Sequence, residues 1–423
     1  MPGKIMTVSK GSDMKMTKLV SYLLFSAANV ATPSLVQAGT GGPVAVAEGL
    51  ALDPIFDARL AYEHVDQPVT SADSLTMRAR AGIELASDMG LSFLIESEAT
   101  LGVINDYNDT NIGNGVEPFS IVADPENIEL NRIQLRFAKK DKGSLTVGRQ
   151  RINIDDQRFV GSVGWRQNEQ TFDAVSGFVT ALKPLTLEAT YAISQRTIFG
   201  ADAGTREAFD GDFIFLGAGA KLGPLNLKGF AYLLDFDAGQ PVSLSSSATY
   251  GFRSTAKLPV AEGLTLDLAG SYAVQKDHKA NPADYSVDYI AGSVGTSFSG
   301  FGLKLGYESL GSDGAGNRFQ TPLATLHKFN GWADVFLSTP PAGLEDKYVS
   351  ISKKVNLLGG ITASAAYHDF RSDVGSMKYG TEFDAALNFK IDVVSVGLKY
   401  ANYNAESFAV DTEKFWLRLG YSF

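Results

Sequence analysis

The sequence predicts an all-β protein, a transmembrane antiparallel β-barrel of about eighteen strands with short periplasmic turns and long outer loops. Three observations predict it. Apolar and polar residues alternate with period two along most of the chain. The connections between these stretches alternate short and long. The last residues, Lys414 to Phe423, form an alternating stretch that ends on an aromatic.

In the first stretch Phe56, Ala58, Leu60 and Tyr62 share one face, and Asp57, Arg59 and Glu63 the other. In the next, Leu75, Met77, Ala79, Ala81, Ile83 and Leu85 oppose Thr76, Arg78, Arg80 and Glu84. The pattern returns at 91–101, 185–196, 264–275, 301–308, 383–390, 394–400 and 415–423. A strand with one apolar and one charged face belongs in a half-buried sheet. In an outer-membrane barrel the apolar face meets lipid and the charged face a wet lumen. Short turns fall at Asp88–Gly90, Lys140–Gly143, Lys183-Pro184, Gly223-Pro224, Pro259–Gly263, Ser299-Gly300, Leu358–Gly360 and Ile391-Asp392. Longer polar connections fall between them, including 103–127, 155–169, 198–208 and 311–345. A soluble sandwich has no reason to keep that alternation. Closure removes the unpaired edges that aggregate, and a barrel of this size leaves an aqueous channel. Tyr62, Tyr191, Tyr272, Tyr307, Tyr367 and Tyr400 lie late in outward-running strands, where an aromatic girdle is expected.

Residues 1–38 read as a signal peptide, with Lys15 and Lys18 before an apolar run from Leu19 to Val30 and a small-residue site at Val36-Gln37-Ala38. Residues 39–53 read as a periplasmic lead-in and 54–423 as the barrel. Removing the leader takes four lysines and one aspartate, three net positive charges, so the −10 of the chain becomes −13. That charge argues against nucleic acid as a partner. There is no cysteine, and no histidine or carboxylate spacing typical of zinc, so no metal or cofactor is expected. The expected partners are outer-membrane lipid and lipopolysaccharide, with Phe423 addressing the barrel-assembly machinery.

The charge-dense stretch 148–175 holds Arg149, Arg151, Arg158 and Arg166. Arg78, Arg80, Arg132 and Arg136 project from earlier strands toward the same lumen. Guanidinium groups lining a narrow channel attract anions and grip carboxylates through two hydrogen bonds. Glu84, Glu96, Glu98, Asp155, Asp156, Glu169 and Asp173 offer the competing outcome, an ion-pair ladder that stiffens the wall. The aromatic segment 311–345 is too long and apolar to stand in water. It either folds into the lumen or packs over the outer rim.

The run Gly148-Arg149-Gln150, Asn153, Asp156, Arg158-Phe159, Gly161, Gly164-Trp165-Arg166-Gln167-Asn168 and Thr171-Phe172-Asp173 resembles the signature of the alginate export family of outer-membrane porins. Leu326 to Asp334 resembles a second segment of that family. The resemblance implies an eighteen-strand barrel with an electropositive lumen, passage for carboxylated sugars, and Arg149 and Arg166 as the lumenal cluster. The family's alginate exporter has a long periplasmic turn that this sequence lacks. Together these readings point to a passive bacterial outer-membrane channel for anionic solutes, uronate sugars or alginate-like polymers among them. A general diffusion porin and a plugged structural barrel are the alternatives. An enzyme is not expected, because none of the four histidines, His64, His278, His327 and His368, accompanies a nucleophile motif.

Overall fold

A computed structural model describes residues 42–111, 118–279, 281–357 and 360–423. The expected signal peptide lies outside the described residues, as do the start of the lead-in, part of the connection 103–127 and Leu358-Gly359 of one expected turn. The strands are β1 (Val44–Ala47), β2 (Leu50–Asp66), β3 (Ser71–Ser87), β4 (Leu91–Asp106), β5 (Asn127–Lys139), β6 (Gly143–Gln150), β7 (Thr171–Leu182), β8 (Leu185–Arg196), β9 (Ala208–Leu222), β10 (Leu225–Phe236), β11 (Ser247–Ala261), β12 (Leu264–Asp277), β13 (Ser286–Phe298), β14 (Phe301–Leu310), β15 (Leu344–Val355), β16 (Ile361–Arg371), β17 (Lys378–Ile391), β18 (Val394–Ala405) and β19 (Thr412–Ser422). Each of β2 to β19 pairs antiparallel with the next. β19 closes on β2 with Glu413 opposite Asp66 and Ser422 opposite Asp57. The result is a closed eighteen-strand barrel with one extra strand, because β1 forms only a small hairpin with β2. The lead-in expected over 39–53 is therefore corrected where it is described: its last residues, Leu50 to Asp53, already open the first barrel strand.

The alternation predicted from the sequence sets which face is wet. On β3 the buried residues Ala72, Ser74, Thr76, Arg78 and Arg80 face inward. Met77 and Ile83, about 40% exposed, face outward. In water such a continuous apolar exterior would aggregate; in a bilayer it is the solvent-matched surface. The six girdle tyrosines alternate out of phase with buried neighbours, as Tyr62 does between Ala61 and Glu63. At the seam, Phe423 exchanges backbone hydrogen bonds with Phe56 and stacks on it at 5.6 Å.

Turns at the periplasmic end are short, as at 88–90, 299–300 and 392–393. The outer connections include 107–126, 151–170 and 311–343. The last two fold inward: Phe159, Phe319, Leu323 and Phe336 pack with the inward-facing Phe230, Tyr232, Tyr289, Phe370 and Tyr403. The aromatic content of 311–345 is thus explained by insertion into the lumen. Apolar side chains from both loops and wall build a core inside the barrel's outer half.

Candidate permeation site within the barrel

The two inserted loops are bound to each other and to the wall. Gly161 N donates to Leu323 O at 2.9 Å, and Val163 N to Thr325 Oγ1 at 3.1 Å. Phe159 lies within 5.2–6.0 Å of the rings of Phe230, Tyr232, Tyr289 and Phe319. On the wall, Glu382 Oε1 accepts from Trp332 N at 2.5 Å and Ala333 N at 2.7 Å. That approach requires Gly331: its φ is +82°, and a Cβ there would sit 2.3 Å from Glu382 Oε2. Gly148, which opens the motif run, is held to glycine in the same way. Its φ is +115°, and a Cβ there would lie 2.3 Å from Ile133 O.

The eight arginines expected to line the pore are placed as follows. Arg78 pairs with Asp57, Arg80 with Glu98 and Glu169, and Arg151 with Glu169. Arg132 holds Glu96 through two hydrogen bonds of 2.8 and 2.7 Å. Arg158 is buried and donates to Glu308 at 2.8 Å, Thr321 at 3.0 Å and Asn330 at 3.1 Å. Arg166 reaches Glu63 at 2.9 Å and Asp334 at 3.0 Å, with Asp124 at 3.6 Å. Arg136 is exposed on the lumenal face of β5 and makes no ion pair among the described residues. Arg149 is a correction. By register it shares the outward face of β6 with the exposed Leu145 and Val147, and it pairs with Asp173 at 2.8 Å. The expected ring of solute-facing guanidinium groups is therefore not built from these residues, because nearly every one finds a carboxylate on a neighbouring strand or loop. Replacing Arg149 with Ala is expected to leave ion selectivity unchanged and to cost at most about 1 kcal/mol, the worth of a partly exposed pair. Reversal potential and the temperature of barrel unfolding check both.

The remaining motif residues shape the inserted loop. Gln150 Nε2 donates to Ala174 O at 2.9 Å, and Asp156 accepts from Arg253 at 2.7 Å. Gln167 donates to Thr76 Oγ1 at 2.9 Å, and Asn168 accepts from Thr100 at 2.7 Å. Phe172 is fully buried, and Gly164 O accepts from Arg59 at 3.1 Å.

Three cations that the sequence does not single out lie where β18, β19 and β2 meet. Arg59 donates from one nitrogen to the carbonyls of Gly164, Trp165 and Arg166, each at 3.1 Å. Arg418 donates to Trp165 O and lies 3.2 Å over the Trp165 ring. Lys399 lies 4.2 Å from the Trp165 centroid and 3.7 Å from that of Trp332. Below them opens a pocket of about 710 Å³ whose lining includes Arg59, Lys354, Lys390, Lys399 and Arg418, with no aspartate or glutamate. The available signal is strand parity: Arg59, Lys399 and Arg418 all fall on polar faces of strands that closure makes neighbours.

Above this pocket, His327 stacks on Trp165 at 4.4 Å, receives a hydrogen bond from Lys399 at 2.6 Å, and donates to Asp334 at 2.7 Å. Burial lowers the His327 pKa from 6.5 to about 3 despite Asp334 beside it. Burial would raise Asp334, but His327, Lys414 and Arg166 hold it well below the carboxylate range. Both folded values are depressed, so their stabilisation is complete above the free-loop values and is lost as pH falls. His327 acts first, from 6.5 downward, at about 1.4 kcal/mol per pH unit. All three tryptophans, Trp165, Trp332 and Trp416, surround this point. Their emission is expected to shift red between pH 6.5 and 3, with a lower onset in His327→Asn. A flat profile in both proteins would contradict it.

A closed barrel with an apolar exterior and inserted outer loops has the architecture of outer-membrane porins. A family model described as Alginate export matches residues 120–193, the segment that contains the arginine-rich motif. No curated protein matches the chain. Among solved structures, Pseudomonas aeruginosa OccK9 (OpdG) is similar with a TM-score of 0.68 and 17% identity, over 88% of this chain and 98% of that one. Pseudomonas aeruginosa OccK1 (OpdK) has a TM-score of 0.68 and 14% identity, over 89% and 99%. A structure of Pseudomonas aeruginosa OpdK with vanillate has a TM-score of 0.67 and 15% identity, over 89% and 99%. The fold is that of outer-membrane porins.

Proposed function

We propose that the protein is a passive outer-membrane channel for small organic anions, which it attracts at the Arg59–Lys399–Arg418 pocket. The observation that carries this reading is the lining of that pocket: five cations and no carboxylate. Cations fixed in a water-filled constriction draw anions and repel cations. The arginines of the motif are neutralised locally, so they add little to this field. Vanillate, the molecule in the similar OpdK structure, is a carboxylate, which agrees with an anionic cargo. The family match over 120–193 favours sugar acids within that class. The short periplasmic turns favour small solutes over a polymer that needs a periplasmic plug.

The test is the reversal potential of the purified protein in a planar bilayer under a salt gradient, with uronate oligomers or vanillate added. Anion-selective conductance blocked by either carboxylate is the expected result. Conductance without anion preference would leave a general porin. No conductance would leave a plugged structural barrel.

A further inference from the structure

On the outer side of the Trp165–His327 stack lies a second compartment, a chamber of about 480 Å³ between the outer loops. His327 lines the chamber and Trp165 lines the basic pocket, so one layer of stacked rings separates the two. The chamber is lined largely by apolar side chains, among them Phe199, Phe209, Leu326 and Val335. Its size and lining are those of a small-molecule site. The charges at its floor cancel, because Arg166 and Lys414 face Asp334 and Glu63. An ion entering would lose its water without gaining a partner. One polar group is left open. Gln195 is 2% exposed and lines the chamber, and its Oε1 is buried without a hydrogen-bond partner among the described residues. A bulge between Ala192 and Ser194 brings it to this position.

We propose that this chamber binds an uncharged, ring-bearing molecule with a hydroxyl group. The ring lies among Phe199, Phe209, Leu326 and Val335, and the hydroxyl bonds the Gln195 amide. A hydroxyl can donate to the amide oxygen or accept from its nitrogen, so it satisfies either end. The site is independent of the anion pocket.

The experiment uses the mature protein in two forms. Crystals are soaked with 4-bromobenzyl alcohol or 4-bromobenzoate, and anomalous scattering locates the bromine. In nanodiscs, 4-fluorobenzyl alcohol is titrated by fluorine NMR against empty nanodiscs. The alcohol's bromine is expected in the chamber. Gln195→Leu, which keeps the volume, is expected to weaken the alcohol by about threefold to tenfold. Val410→Trp, at an exposed lining position, is expected to abolish binding. Bromine absent from the chamber, or Gln195→Leu binding as tightly as the parent, would overturn the proposal. Benzoate missing from the basic pocket while the alcohol fills the chamber would count against the channel reading alone.

Discussion

Replacing Arg59 and Arg418 together with Gln is expected to lower the anion-to-cation permeability ratio roughly tenfold, the factor that about 1.4 kcal/mol of lost attraction carries. Both guanidinium groups face the pocket that holds no carboxylate. Among the described residues their close partners there are carbonyls and the Trp165 ring, and neither forms an ion pair; Asp124 acts on both only from a distance. Glutamine keeps a donor for those carbonyls, so the loop tip retains its anchor while the charge is removed. Reversal potential under a salt gradient reads the ratio. Gel mobility with and without heating confirms that the barrel is folded. A ratio unchanged in the folded double variant would place the selectivity elsewhere, with Lys399, Lys354 and Lys390 next to be tested.

The fold is legible in the sequence because period-two alternation and loop asymmetry are local properties of the chain. Lipid on one side and water on the other impose them strand by strand. The insertion of 311–343 is half legible: Phe319, Phe329 and Trp332 announce that the loop buries itself, but not where. The site is legible only as a type of residue. Parity assigns Arg78, Arg80 and Arg132 to the lumen, yet their partners Asp57, Glu98 and Glu96 come from register between strands. Register also puts Arg149 on the outer face. Arg59 and Arg418 become neighbours only through closure, which pairs Arg59 with Gly420 and Ala61 with Arg418. Whether a lumenal arginine serves solute or wall depends on those pairings, and no single strand encodes them.

Arg166 shows the opposite role, and its replacement is expected to open the pore. It ties three carboxylates from separate elements: Glu63 on β2, Asp124 in the loop 107–126 and Asp334 in the inserted loop. Burial opposes its charge, but these three carboxylates outweigh that cost and hold its pKa above the ordinary value. In Arg166→Met the cation left beside Glu63 and Asp334 is Lys414, at 3.8 and 3.6 Å, while His327 still donates to Asp334 at 2.7 Å and Gln167 N to Asp124 at 2.8 Å. Removing one partner of a buried pair costs about 3–5 kcal/mol. The loop's other anchors are the aromatic core around Phe159, Phe319 and Phe336, the Arg158 contacts and the Glu382 acceptor, so the loss is expected to loosen the loop around Asp334 while the ladder on β3 to β5 keeps the wall closed. Single-channel conductance is expected to rise, tryptophan emission to shift red, and 311–343 to become open to protease. Adding Asp334→Asn to Arg166→Met removes the unpaired charge nearest the loop and is expected to restore part of the docking. Conductance unchanged in folded Arg166→Met would mean that the aromatic core around Phe159 and Phe336 holds the loop without the ion pairs.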